Sequence, residues 1–522
     1  MLNKKGSIKM KSQLKAGAIL SYVALFVNSA ISIIYTPIML NILGQSEFGI
    51  YSLAASAAGY VGVLNFGLGN AVIRYTAKYR ALQDEDGCSN LYGMFCIMYG
   101  ILGTLALIIG TILTLNADRI FSNALSEGEV NTLTILMGIM VINISVGIGL
   151  GFFSVVVLAF EKFIFQKVIG IVGSIATPLI TLPLLIMGHG SVAMAIITTI
   201  LNFIIILINI YYCFRVLKIK IVFKKIEKSV LREIIVFSSL IFINLIIDKI
   251  YWSTDQFILG VFSGAAAISV YTIGVSFTGY FSGFSTAISN VFLSRVTGMV
   301  TREVNDKDVS DLFIKVGRIQ YIILSFILSG FIVFGQEFIH LWVGSEYKDA
   351  FLIAIIILVP MIVSLVQSMG GIILQAKNMQ TFKSLMYAIT AVVNVLVSII
   401  FVQWWGAIGG ALGTAVAFTA GNIIIMNVYY WKKINIDIPS FWKNIFYMSA
   451  SFVASVVFGA TINKLILADN WFVLIIKIIV FSLVYTLLMW FTGMNKYEKD
   501  MFRTPVRNII YRLKKEKFYK IG

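Results

Sequence analysis

Apolar runs of about 20 residues, each long enough to cross a roughly 30 Å hydrocarbon layer as a helix, recur throughout this 522-residue sequence. Hydrocarbon offers the backbone no hydrogen bonds, so a chain of this kind must close its amides internally, as helices or as a sealed barrel. The runs are continuously apolar, whereas barrel strands alternate and are about 10 residues long, so they read as helices. Windows of about 19 residues place fourteen spans, near residues 16–42, 48–73, 91–115, 132–160, 168–187, 191–214, 233–260, 264–294, 312–341, 350–374, 384–404, 406–430, 445–466 and 471–492. The gaps between them leave no room for a sizeable soluble domain. With 59% hydrophobic and 12% charged residues, against about 45–50% and about 25% in soluble domains, the chain cannot hide its apolar surface from water by folding alone. The expected fold is all-α, a polytopic membrane protein with about fourteen transmembrane helices.

Lysine and arginine set the orientation, because positively charged loops stay in the cytoplasm. Of the 41 basic residues, 36 fall in the two termini and in every second loop or at the span ends beside them, three fall in or beside the intervening loops, and Lys249 and Lys477 lie deeper within spans. Both termini are therefore expected in the cytoplasm. A missed or invented span would scramble the alternation. The net charge of +17 is absorbed by this asymmetry and by contact with anionic lipid, at about 1 kcal/mol per residue near the surface; no nucleic-acid partner is needed to explain it. The basic start, MLNKKGSIKMKSQLK, precedes an apolar stretch too long for the core of a secretory signal, which argues against cleavage. The tail after Gly493 mixes aromatic and basic residues and is expected to lie along the cytoplasmic membrane surface.

Cys88, Cys96 and Cys213 form no close pattern, and His189 and His340 stand far apart. Neither a disulfide framework nor a metal site is expected. The longest outer loop, NADRIFSNALSEGEVN, holds no nucleophile–base pair, so the expectation is that the protein is not an enzyme such as a membrane-bound polymerase or ligase.

Two stretches read alike. In NILGQSEFGIYSLA (Asn41–Ala54) and FILGVFSGAAAISVYTIG (Phe257–Gly274), Ile-Leu-Gly ends one span and a short turn leads to a tyrosine, Tyr51 or Tyr271, that opens the next. The second turn is four residues longer. The division that follows is a bundle of spans 1 to 6 with a basic linker (1–231), a similar bundle of spans 7 to 12 (232–431), two further spans (432–492) and the basic tail (493–522). Repeated bundles of this sort are common in transporters, with the substrate path between the halves, so a central cavity is expected.

The stretch TPIMLNILGQSEFGIYSLAASAAGYVGVLNFGLGNAVIRYTAKY (Thr36–Tyr79) resembles the start of the polysaccharide-transporter branch of the multidrug, oligosaccharidyl-lipid and polysaccharide exporter superfamily. DKIYWSTDQFILGVFSGAAAISVYTIG (Asp248–Gly274) resembles that branch's second-half signature. The resemblance implies an inner-membrane flippase that turns a polyprenyl-diphosphate-linked oligosaccharide from the cytoplasmic to the outer leaflet for a surface polysaccharide such as O-antigen or capsule. It also implies a polysaccharide polymerase and a chain-length regulator as partners.

Such a task needs polar groups at membrane depth, since a doubly anionic headgroup cannot cross bare hydrocarbon. Amides and hydroxyls that answer this include Asn28, Asn65, Asn143, Asn290 and Asn394; bonding between packed helices, at about 0.6 kcal/mol each, explains any one of them equally well. Charges are sharper evidence. With Gly260 at the outer boundary, Asp248 lies about 18 Å inward and Asp255 about 8 Å inward. An unpaired charge near the centre costs about 2.5–3.5 kcal/mol on insertion scales, so Asp248, Lys249 and Asp255 must face protein or water. Lys249 is suited to attract a diphosphate, and Asp248 or Asp255 to take the H+ or Na+ that returns the empty carrier; no other cofactor is expected. A structural network would explain the three charges as well. Arg74, with Lys78 and Arg80, closes span 2 where it could gather phosphate oxygens in a bidentate fork, or simply anchor the span. Lys477, about 9 Å from the outer end of span 14, is expected to snorkel outward. Two other readings stay open: an ion-coupled drug exporter, for which a mid-membrane lysine is unwelcome, and a peptidoglycan-precursor flippase, whose first-bundle arginines have no match in the uncharged span 1.

Overall fold

The computed structural model describes residues 2–223, 228–302, 304–466, 468–501 and 503–504. Among these the chain is helical, with no strand. In order, the helices are α1 (Leu2–Gly62), α2 (Leu68–Ala81), α3 (Glu85–Leu115), the short α4 (Ala117–Phe121), α5 (Glu127–Ala159), α6 (Phe163–Ile186), α7 (Gly190–Tyr211) and α8 (Lys228–Phe262). There follow α9 (Ala265–Thr301), α10 (Asp306–Val343), α11 (Lys348–Val366), α12 (Ser368–Ala376), α13 (Gln380–Phe418), α14 (Met426–Ile434), α15 (Ile438–Leu465) and α16 (Trp471–Leu488).

Eleven stretches among the described residues are long and apolar enough to cross a membrane. Two of them, Val23–Ala81 with 59 residues and Gln380–Ile434 with 55, exceed twice the roughly 20 residues of one crossing, and each breaks at a glycine. Gly44 adopts φ 76° and Gly406 φ 54°, a left-handed backbone that only glycine reaches without cost. Counting those breaks and α9, a 37-residue helix whose serines, threonines and glycines dilute its apolarity, gives the fourteen expected spans. Side chains such as Phe446 and Phe472 stand largely exposed on these helices, as a lipid-facing surface requires.

The Ile-Leu-Gly repeat acquires a physical meaning. In the first copy its glycine, Gly44, makes the turn; in the second, α8 continues past Gly260 and the turn falls on Gly264 at φ 84°. The four extra residues are one more helical turn. The loop after Gly44 also fastens other helices: Glu47 accepts from the Ser191 amide at 2.5 Å, at the start of α7, and Ser46 donates to Glu129 in the first turn of α5. A carboxylate at a helix N-terminus satisfies otherwise orphaned amides and meets the favourable end of the dipole.

Pro37, Pro178, Pro183 and Pro360 do not interrupt their helices; all four lie inside them. Proline fixes φ near the helical value and removes one hydrogen bond, and the breaks in these long stretches fall instead at positive-φ residues such as Gly44, Gly67 and Gly406. A third break, between α1 and α2, places Phe66 at φ 55° and Gly67 at φ 64° after the short turn Val63–Asn65.

The helices form two compact units, the first Met1–Ile273 with Ala388–Thr414, the second Gly274–Tyr387 with Ala415–Gly522. In the first, Phe152 of α5 packs against Tyr92, Phe95 and Tyr99 of α3, and α3 and α5 touch at Gly103 and Gly149, where a Cβ on Gly103 would come within 2.8 Å of the Gly149 Cα. In the second, α10 is the central element. It packs on α11, α15 and α16, with Phe313 against Phe441 at 4.9 Å between ring centres and Gly317 leaving room for the Phe441 ring.

Candidate functional site

Asp255 is sealed inside the first unit at 2% exposure. Helix α8 supplies it. From α9, about two turns beyond Gly264, the Tyr271 hydroxyl donates to its Oδ2 at 2.5 Å. The stretch after the Gly406 break brings Thr414, whose hydroxyl donates to the same oxygen at 2.6 Å. Gly410 makes that approach possible: a Cβ there would already sit 3.3 Å from the Tyr271 ring and 3.7 Å from the Asp255 Cβ.

Before the break, α13 contributes Asn394 and Ser398, both fully buried. The Asn394 amide donates to the Tyr251 carbonyl at 3.2 Å, and its Oδ1 accepts from Ser398 at 3.1 Å and faces Thr414 Oγ1 at 3.3 Å. The result is a chamber of oxygens from one carboxylate, one amide, two hydroxyls and a phenol. Asp255 Oδ1 accepts no hydrogen bond among the described residues. A buried carboxylate oxygen without a donor is costly and suits a proton or a hard cation, which prefers oxygen ligands.

The other two charges in α8 stand in different surroundings. Asp248 is exposed, while Lys249 is half-buried and forms no ion pair among the described residues. The Lys249 ammonium lies 5.5 Å from the centre of the Tyr60 ring and rests against Gly59 of α1, whose missing side chain makes the space. The sequence groups three charges; the structure divides them into a closed acidic chamber, an exposed carboxylate and a cation held over an aromatic face, an arrangement worth about 0.5–2 kcal/mol.

The remaining sequence candidates fall elsewhere. Arg74 on α2 is exposed, its guanidinium 4.8 Å from the Phe237 ring centre. Asn28 on α1 is exposed, Asn65 is exposed at the break between α1 and α2, and the side chain of Asn290 lies outside the described residues.

Sequence reasoning misread one lysine and missed two partners in the second unit. Lys477 does not snorkel outward. It is 2% exposed and donates to both Glu337 oxygens at 2.9 and 2.7 Å, to the Ile466 carbonyl at 2.8 Å, and to Asn463. Distance to the membrane boundary could not reveal that α10 would present a carboxylate to α16. Arg318, which the sequence reading did not single out, is 5% exposed and clamps Glu498 with bonds of 2.6 and 2.9 Å, while also donating to Asn444 and the Gly493 carbonyl. The tail therefore begins as a docked segment, since Glu498 is fully buried; residues 505–522 lie outside the described residues.

Comparisons with known proteins place the chain in a family and show which solved structures share its fold. A family model described as "Polysaccharide biosynthesis protein" matches residues 14–299. Among curated proteins, "Probable low-salt glycan biosynthesis flippase Agl15" of Haloferax volcanii is 22% identical over 259 residues, 49% of this chain and 52% of the relative, so the chain spans about half that protein's length. Among solved structures, one described as "Lipid II flippase MurJ, inward closed conformation" superposes with a TM-score of 0.73 at 16% identity, covering 94% of this chain and 99% of the other. An inward-facing multidrug resistance MATE family transporter of the MOP superfamily follows at 0.64 and 15% identity, covering 81% and 99%. At such identities these two likenesses establish the shared fold.

Proposed function

The chain belongs to the polysaccharide biosynthesis protein family, and from that premise we propose that it flips a polyprenyl-diphosphate-linked oligosaccharide across the cytoplasmic membrane by alternating access, for assembly of a surface polysaccharide. In this reading both termini are cytoplasmic, and the polysaccharide polymerase and chain-length regulator act on the delivered product. The protein performs no covalent chemistry.

The single observation that carries the mechanism is the contrast within α8: a buried carboxylate with one oxygen lacking a donor, and six residues earlier in the sequence a lysine with no ion pair among the described residues. Lys249 draws the diphosphate. Asp255 takes the H+ or Na+ whose binding and release resets the carrier. A ligand shifts a conformational equilibrium only by its differential affinity for the two states. The Asp255 chamber is built from four chain segments, α8, α9 and the two halves of α13, so any movement among them changes the oxygens offered to the ion.

An ion-coupled drug exporter would use the same chamber. Lys249 argues against it, because amphipathic cations are repelled by an ammonium at membrane depth. The test is surface-polysaccharide export in cells carrying Asp248→Asn, Lys249→Ala or Asp255→Asn in place of the wild-type gene. Lys249→Ala and Asp255→Asn should lower export with the protein still present in the membrane; normal export from all three would leave the charges a purely structural role.

A further inference from the structure

Beneath the break between α1 and α2, within the first unit, lies a cavity of about 430 Å³, inside the roughly 300–1,000 Å³ range of small-molecule sites. Its lining contains no charged side chain. Asn65 comes from the break itself, Asn143 and Ser154 from α5, Asn202 and Asn209 from α7, and Tyr99 from α3. Isoleucine, leucine and valine side chains complete the wall.

The polar groups are only partly occupied with one another. Asn202 donates to Asn143 at 3.1 Å, and Asn209 is engaged by Gln166 at 2.6 Å and by the Ile205 carbonyl at 2.8 Å. A primary amide carries two donors and an acceptor with two lone pairs, so the Asn143–Asn202 pair keeps capacity on both residues. The independent sign of a guest is Tyr99. The residue lines this cavity and is 1% exposed, yet its buried hydroxyl has no hydrogen-bond partner among the described residues. Leaving a buried hydroxyl unmade costs about 1–3 kcal/mol against a phenylalanine in the same place.

We propose that this cavity binds the uncharged sugar portion of the transported glycolipid, an inference that rests on the flippase reading and assigns the headgroup's sugars to a place separate from Lys249. Amides and a phenol are matched to hydroxyl groups, which both donate and accept. A phosphate would call for arginine or lysine and a cation for a carboxylate, and the lining offers neither. The apolar wall suits the C–H faces of a pyranose ring.

Gly147 makes the test clean. It lines the cavity, and a Cβ built on it meets nothing within 4 Å, so a Gly147→Leu side chain starts in open space and takes up volume at the lining. Gly138 on the same helix is equally open but is not part of the lining, and Gly138→Leu is the control. Full-length protein in lipid nanodiscs is titrated with the polyprenyl-diphosphate oligosaccharide purified from the cells that make it, and in parallel with bare polyprenyl diphosphate. Wild type and Gly138→Leu should hold the glycosylated lipid about tenfold more tightly, what two neutral hydrogen bonds supply. Gly147→Leu should lose that increment and keep its affinity for the bare lipid. Tyr99→Phe should lose part of the increment while unfolding at the same or a higher temperature, which a structural hydroxyl would not allow. A Gly147→Leu protein that retains the increment, or a wild type that binds both lipids equally, overturns the sugar site alone. A wild type that binds neither lipid overturns the flippase reading and this proposal with it.

Discussion

Replacing Lys477 by methionine separates the sequence reading from the structural one. A lysine snorkelling to the interface contributes through its charge alone, and its loss should fall within about 0.5 kcal/mol, as for other surface substitutions. The structure sets Lys477 at 2% exposure with four acceptors around its ammonium, two of them the oxygens of Glu337. Methionine fills the same volume and leaves Glu337 with the Ala468 amide at 3.3 Å as its remaining donor. Breaking a buried pair from one side costs about 3–5 kcal/mol. Glu337 is 16% exposed, so water relieves part of the loss, and about 3 kcal/mol, the low end of that range, is expected.

Removing both charges should cost much less than removing one, since replacing a whole buried pair by apolar groups is often neutral. Lys477→Met, Glu337→Leu and the double variant form a cycle that isolates the coupling. Equilibrium unfolding in mixed micelles, followed by tryptophan fluorescence, gives the three values. A Lys477→Met cost below about 0.5 kcal/mol, or a double variant as unstable as Lys477→Met, would refute the buried pair and restore the snorkelling lysine.

Three further outcomes are expected. Arg318→Lys keeps the charge but loses the fork that holds Glu498; it should cost about 2 kcal/mol and speed tryptic cleavage at Lys496 and Lys499, and an unchanged cleavage rate would contradict the docked tail. Gly410→Val forces a branched side chain against Tyr271 and Asp255 and should depress glycan export as strongly as Asp255→Asn, at normal protein levels; full export would mean that the chamber tolerates being opened. A phosphatase active only outside the cytoplasm, fused after Gly522, should be silent, and activity would reverse the orientation.

The fourteen spans were legible because hydrocarbon thickness imposes its length on every helix, and one glycine turn was legible because Ile-Leu-Gly recurs. The break at Phe66–Gly67 was not, since the apolar window 48–73 runs straight through it, whereas the Gly406 break falls at the gap between the expected spans 384–404 and 406–430. Asp255 stood out as an isolated charge, and Asn394 as an amide at membrane depth, but nothing local joins residues 139 positions apart in sequence. Thr414 gives no signal at all: one hydroxyl in an alanine- and glycine-rich stretch reads as packing. Tyr271 was noticed as the tyrosine of the repeat, and its bond to Asp255 is what gives that position a role. Lys477 was misread because pairing across helices depends on which faces meet, and hydropathy carries no such information.

The central claim is that ion binding at Asp255 drives the flipping of a lipid-linked glycan. Its most direct test is to reconstitute the full chain in sealed vesicles containing the polyprenyl-diphosphate oligosaccharide and to follow the arrival of headgroups at the opposite leaflet under an imposed H+ or Na+ gradient. The account predicts gradient-dependent translocation by the wild type and, for Asp255→Asn, retained glycolipid binding with translocation that no longer responds to either gradient. Translocation by Asp255→Asn that follows the gradient as the wild type does, or a wild type that moves no glycolipid under either ion, would contradict it.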